Sequence, residues 1–223
     1  NATVMHVICP LEFERSRLVH AAKARGWVLH CSGPGGVGIE RWAASVRFPA
    51  GTQVVLAGVA GGLRPAAIPG TAVVPSIIVD EDGRVWHPPV RTGPGAVGAP
   101  PQPAVRCLSA QHVIRTPDAK RVAAERFDAD LVDMESAAFA RVAEAAGWDW
   151  QVIRGISDGY NETLPDGVEL WTSANGRTRI GAVLGSLARR PMRLPTLVPQ
   201  LLALGRRSGA AMQAVEDALT ELH

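Results

Sequence analysis

QVVLAGVAGGL, residues 53–63, is the stretch that decides the fold. Its first seven residues are a near-continuous apolar run, the pattern of a strand buried on both faces. Such strands belong to layered folds in which helices cover both faces of a central sheet. The run closes on Gly58-Val-Ala-Gly61-Gly62-Leu63. Glycines at a strand's end let a ligand approach the backbone without interference from a Cβ. In open α/β sheets ligands collect outside the carboxyl ends of the strands. The same glycines also suit a plain tight turn into a loop.

Outward from this strand, β-rich runs alternate with helical patterns. Strand character covers 3–9, 27–31, 71–80 (broken at Pro75), 105–109 and 151–156; helical patterns cover 12–25, 117–127 and 133–146. In the last of these, Met134, Ala138, Val142 and Ala145 hold the apolar positions. Residues 83–103 are rich in Gly and Pro and are expected to be irregular, with Trp86 and His87 near their start. The alternation predicts an α/β fold with a largely buried sheet. One catalytic domain is expected over 1–188, followed by a helical tail over 189–223 packed on it.

Composition narrows the function. A chain of 223 residues, 47% hydrophobic, can bury a substantial core. A net charge of +2, with no dense Lys/Arg block beside aromatics, argues against nucleic acid as a partner. Cys9, Cys31 and Cys107 are odd in number and lack CxxC or Cys/His spacing, so neither a disulfide framework nor a metal site is expected. With no apolar stretch of ~20 residues, a cytoplasmic location is the expectation.

Three further motifs carry chemistry. Gly33-Pro-Gly35-Gly-Val-Gly38 fits GxGxxG after a strand, with a helix expected from Ile39. A dinucleotide site also wants a carboxylate ~20 positions on, where QVVLAGVAGG has none. The loop is left as a tight turn, or as backbone N–H groups for a water, phosphate or sugar. Asp133 and Glu135 suit either a helix N-terminus or a ribose diol, since a carboxylate can accept both hydroxyls. Ser157-Asp158-Gly159 ends an apolar strand, placing an acid at the sheet's carboxyl edge, although an Asx-turn would have the same sequence.

In combination these motifs are more specific. The order GVAGGL (58–63), VDMESAA (132–138), VIRGISD (152–158) resembles the nucleoside phosphorylase and nucleosidase superfamily, and the likeness runs over roughly residues 3–190. It is closest in layout to the hydrolases of methylthioadenosine and S-adenosylhomocysteine. The resemblance implies a three-layer αβα sandwich around a mixed, twisted sheet, a homodimer or larger, and no cofactor. It implies that Asp158 is the general acid at the purine's N7 and exocyclic group, with Ser157 supporting it and Arg154 fixing the loop around it. Glu135 and Met134 resemble the ribose-contacting pair, and Val59, Ala60 and Gly61 the floor under base and sugar. Leu11-Glu12-Phe13-Glu14 resembles the segment whose glutamate activates water, which points to Glu14, with Glu12 as the alternative.

Cleavage of a glycoside passes through an oxocarbenium-like state and needs help for the leaving group on one side and a nucleophile on the other. Phosphorolytic relatives carry an arginine in the strand before the glycine turn; here Leu56 and Ala57 stand there. A phosphate dianion without a cation is poorly compensated for lost solvation, so water is the expected nucleophile unless Arg15, Arg17 or a partner subunit supplies the charge. A phosphate-dependent phosphorylase is the enzymatic alternative, and a non-catalytic nucleoside-binding or membrane-associated scaffold the other. The family's aromatic wall against the base is missing from SAQHVI (109–114), leaving His112, Val113 or Trp86 to take its place. Residues 176–220 resemble the hopanoid-associated branch, which implies an adenine-releasing enzyme acting on a 5′-substituted, lipid-linked adenosine. Leu197, Leu201 and Leu204 share a helical face beside Arg206 and Arg207, suited to a peripheral membrane contact or to packing on the domain. Pro195, Pro199 and Gly205 are expected to interrupt that run.

Overall fold

The apolar run from Gln53 becomes a ten-residue strand, matched in length by one other described strand, of a sheet buried on both faces. A computed structural model describes residues 4–89, 104–165, 173–177 and 194–222, without the side chains of 194–201. The chain runs β1 (His6–Cys9), α1 (Glu12–Arg25), β2 (Val28–Cys31), α2 (Gly35–Ser45), β3 (Gln53–Gly62). Two short strands follow, β4 (Ala72–Val73) and β5 (Ile77–Asp80), then β6 (Val85–Trp86) and β7 (Arg106–Ser109). The remainder is α3 (Pro117–Phe127), β8 (Leu131–Asp133), α4 (Ser136–Ala146), β9 (Asp149–Asp158) and α5 (Leu194–Glu221).

β1 lies between β2 and β3, parallel to both, and β9 runs parallel to β3 along almost its whole length. Only the last residues of β3, Gly61 and Gly62, pair antiparallel with β8, which leads on to β7, β5 and β6. The sheet is therefore mixed. Alternation of side chains along its strands separates two apolar layers. Ile8, Val54, Leu56, Val152 and Ile156 pack on the α2/α4 side with Ile39 and Phe139. Val7, Cys9, Val55, Ala57 and Ile153 pack on the opposite side with Leu18 of α1 and Met212, Val215 and Leu219 of α5. The three-layer αβα sandwich implied by the resemblance is the observed architecture.

Several elements differ from their sequence reading. The helix expected from Asp133 begins at Ser136, because Leu131–Asp133 forms a strand too short to show a period of its own. Residues 71–80 split into β4 and β5, which join different parts of the sheet. Val85 and Trp86, expected to be irregular, pair with β5; residues 90–103 of that segment lie outside the described residues. The helix after the GxGxxG loop starts at Gly35 rather than Ile39. In the tail, α5 passes through Pro199 and Gly205 without a break. Pro195 sits in its first turn, where a missing N–H costs little.

α5 rests directly on β9. A Cβ at Gly155 would lie 2.5 Å from the carbonyl oxygen of Ala211, whereas one at Gly205 would meet nothing within 4 Å. Gly155→Ala is therefore expected to destabilise the protein by about 1–3 kcal/mol through overpacking. Gly205→Ala should be neutral or stabilise by up to about 1 kcal/mol through helix propensity. Denaturant unfolding of the two variants checks this contrast.

Candidate active site

The carboxyl ends of β3 and β9 carry the site. Their register slips between Ala60 and Gly61, so that Gly61 pairs with Asp158 and Ser157 becomes an extra residue in β9. A bulge of this kind bends a strand and re-aims its side chains. Ser157 Oγ lies 3.2 Å from the carbonyl oxygen of Ala60 and 2.6 Å from Asp158 Oδ1. The other carboxylate oxygen, Oδ2, accepts from Lys120 Nζ at 2.5 Å, and the same Nζ donates to the Gly159 carbonyl at 2.6 Å. Gly61 leaves room for this acid: a Cβ there would stand 3.2 Å from Asp158 Oδ2.

A second group of charges lies under the neighbouring part of the sheet. Arg154, in the middle of β9, is fully buried. Its Nη2 contacts Asp133 Oδ2 at 2.5 Å and Glu135 Oε2 at 3.2 Å. Asp133 also accepts the backbone N–H groups of Glu135 and Ser136 and the Ser136 hydroxyl, so it caps α4. Glu135 accepts the N–H of Gly35 at 2.7 Å through its other oxygen. The GxGxxG loop thus turns its first helical N–H onto the candidate ribose ligand.

Glu14 completes the group. It lies in the first turn of α1, is buried, and accepts the N–H of Leu11 and of Val59, each at 2.8 Å. Gly58 makes this possible, since a Cβ there would stand 2.6 Å from Glu14 Oε1 and 2.7 Å from Arg154 Nη1. Burial pushes the Glu14 carboxyl up to about 7, against the opposing pull of Arg154. Burial raises Glu135 in the same direction, again opposed by Arg154. Arg154 resists the lowering effect of its own burial because Asp133, Glu135 and Glu14 hold its charge in place.

These groups surround one cavity of about 430 Å³, a size that suits a small-molecule ligand. Glu14, Glu135, Met134, Ser157, Asp158, Val113 and the Val59–Gly61 floor all line it. Arg154 does not; it braces the carboxylates from behind rather than the loop, as the sequence reading had it. Glu12 points elsewhere and pairs with Arg15 at 2.5 Å. His112, Val113 and Ile114 line the cavity too, as does Phe13, a phenyl ring of the kind that 109–114 lacks. Trp86 packs on the α2/α4 core and does not close the site. Leu204 and Ser208 of α5 also reach the cavity; the side chains of Leu197 and Leu201 lie outside the described residues.

Lys120 and Phe13 were not singled out from sequence. Lys120 stands beside Arg121 in a polar helical pattern, where nothing local separates a buried lysine from a solvated one. Phe13 could have been found, since it lies between the two candidate glutamates.

Comparison with known proteins finds a family match over part of the chain and a likeness of fold over nearly all of it. Residues 101–189 match the phosphorylase superfamily. No curated protein matches the sequence. Among solved structures, a 5′-methylthioadenosine/S-adenosylhomocysteine nucleosidase from Chlamydia trachomatis, bound to methylthioadenosine, aligns with a TM-score of 0.61 at 13% identity, covering 98% of this chain and 96% of its own. A futalosine hydrolase from Helicobacter pylori aligns at 0.59 with 15% identity and 98% of both chains covered. A methylthioadenosine nucleosidase mutant from the same organism, holding 5′-methylthioadenosine, aligns at 0.59 with 14% identity, covering 99% of this chain and 100% of its own. At these identities the likeness is one of fold. The superfamily resemblance read from the VDMESAA and VIRGISD segments is borne out, and both lie inside the matched residues.

The Glu14 carboxyl sets a pH dependence of stability. An unfolded glutamate titrates near 4.5 and the folded one near 7, so the folded state binds more protons between these values. Stability should therefore fall as pH rises from about 4.5 to 7 and level off above, by up to ~3 kcal/mol from this group. Chemical denaturation of wild type from pH 5 to 8 is expected to show the decline, and Glu14→Gln a smaller one.

Proposed function

We propose that this chain, a phosphorylase-superfamily protein by its 101–189 segment and its fold, hydrolyses the N-glycosidic bond of a purine nucleoside. The observation that carries this reading is that two buried carboxylates, Asp158 and Glu14, share one cavity over the Val59–Gly61 floor with Glu135. Glycoside cleavage needs a proton donor for the leaving group and a nucleophile on the other side of the sugar.

Asp158 takes the leaving-group role, meeting the purine at N7 and its exocyclic group with a carboxyl steadied at both oxygens. Glu14 takes the water. With its carboxyl at about 7, it has a substantial ionised fraction near neutrality and enough basicity to accept a proton. Glu135 has lone pairs to spare after accepting from Gly35 and Arg154, and these suit the ribose diol. Fixing the sugar in this way turns binding into alignment at the anomeric carbon.

Water is favoured over phosphate because no Lys or Arg side chain lines the cavity among the described residues. Arg15 is held by Glu12, and Arg17 stacks over Phe13 with its guanidinium carbon 5.3 Å from the ring centre. A dianion would enter with no cation to offset its desolvation. The purine is read as adenine and the nucleoside as 5′-substituted. Leu11, Phe13, Ile114, Leu164 and Leu204 give the rest of the cavity an apolar lining. An apolar 5′ group, up to the lipid of adenosylhopane, is the substituent that lining suits.

Incubation with a series of 5′-substituted adenosines, one lipid-linked, with and without phosphate, tests the reading. Adenine and a free sugar are expected in both conditions; sugar 1-phosphate formed only with phosphate would overturn hydrolysis. Asp158→Asn should lower kcat by ~10²–10⁴ while nucleoside binding stays measurable by calorimetry. In wild type, kcat should fall as pH drops below about 7, where Glu14 takes up a proton.

A further inference from the structure

We propose that Lys120 is a positioning residue that holds Asp158 and supplies, through it, the proton taken up by the departing base. The inference rests on the nucleosidase reading above and adds to it the source of the leaving group's proton.

Lys120 is fully buried, which is rare for lysine unless it is paired. Its place in α3 makes the burial harder to explain by helix stability. Thr116 caps that helix and Pro117 opens it, so Lys120 stands in the first turns, where the helix dipole disfavours a cation. No carboxylate of its own helix holds it: Asp118 and Glu125 both face Arg121. Its ammonium goes instead to Asp158 Oδ2 at 2.5 Å and to the Gly159 carbonyl at 2.6 Å. It does not line the cavity, so it acts through Asp158 and from behind it.

Both oxygens of Asp158 already face donors, Lys120 at Oδ2 and the Ser157 hydroxyl at Oδ1. A carboxyl placed in this way is set to accept, yet the departing purine needs a proton. A lysine ammonium can give one up, whereas an arginine in the same place would remain charged. In the step, the bond from the anomeric carbon to the purine nitrogen breaks and its electron pair stays on the base. Lys120 Nζ gives a proton to Asp158, and Asp158 passes one to the purine's N7, leaving Lys120 as a neutral amine. Water forms the new bond to the anomeric carbon and loses its proton to Glu14. After the products leave, solvent carries that proton from Glu14 back to Lys120, and the charges balance.

The test compares two leaving groups on one sugar. Wild type, Lys120→Met, Lys120→Gln and Lys120→Arg are assayed with the best adenosine substrate and with the 4-nitrophenyl glycoside of the same sugar. Nitrophenolate departs without a proton, so its release needs no acid. In the variants that retain a wild-type unfolding transition, adenine release should fall ~10²-fold or more, the size of a lost general acid, while nitrophenolate release stays within about threefold. Lys120→Arg is the most telling, because it keeps the charge beside Asp158 but withholds the proton. An equal fall on both substrates would show a merely structural lysine and overturn the inference, as would unchanged adenine release. A wild type that releases nothing from either substrate would overturn the nucleosidase reading and this inference together.

Discussion

The site depends on one buried cation. Arg154 lies in the centre of β9 with no exposure to solvent, facing Asp133, Glu135 and Glu14. A buried charge is tolerable only where partners replace its lost hydration, and a carboxylate beside it is bound by the same condition. Three carboxylates around one guanidinium leave a surplus of negative charge. Burial is why Glu14 and Glu135 hold their protons more tightly than solvated glutamates do; Arg154 opposes it, and the neighbouring carboxylates add to it. Arg154 is therefore a constraint on fold and chemistry alike. It ties β9 to the β8–α4 junction, and it keeps the carboxylates close enough to share a cavity.

Backbone geometry makes that concentration of charge possible. Glu14 and Arg154 approach β3 where Gly58 has no side chain, and Asp158 stands against Gly61. The slip between Ala60 and Gly61 gives β9 an extra residue, so Ser157 and Asp158 can both serve one carboxyl. Gly58 and Gly61, which read in sequence as room for a ligand, are in structure also the gaps through which charged side chains reach the sheet. The apolar run and the glycine cluster are thus two parts of one solution. The first buries the strand on both faces, and the second opens it only at its end.

The parts of this arrangement legible in the sequence were those with a long period or a strong local signature. β3 was readable because a near-continuous apolar run, Val54 to Val59, has few alternatives. The end of β9 was readable because Ser157-Asp158 interrupts such a run. β8 was not, since three residues show no period and VDM runs directly into an Ala-rich helix. Asp133 accordingly looked like a helix residue, whereas it ends a strand and caps α4. Arg154 looked like a loop-fixing residue because its partners at 133 and 135 are distant in sequence. The continuity of α5 was hidden by its prolines, whose cost is met by placement early in the helix and by packing of its later turns on β9.

The two carboxylates of the cavity differ in what surrounds them, and that difference gives the site a direction. Glu14 accepts two neutral backbone N–H groups and shares the Arg154 cation with two competitors. Asp158 has a cation of its own at hydrogen-bond distance and a hydroxyl at its other oxygen. Acid–base chemistry on one substrate by two chemically similar groups requires environments that set them apart. Here the separation comes from tertiary structure rather than from residue type: α1 brings Glu14 to the end of β3, and α3 brings Lys120 behind β9. A sheet that placed both acids at its edge without those two helices would present a pair of equivalent carboxylates, with neither assigned to water nor to the departing base.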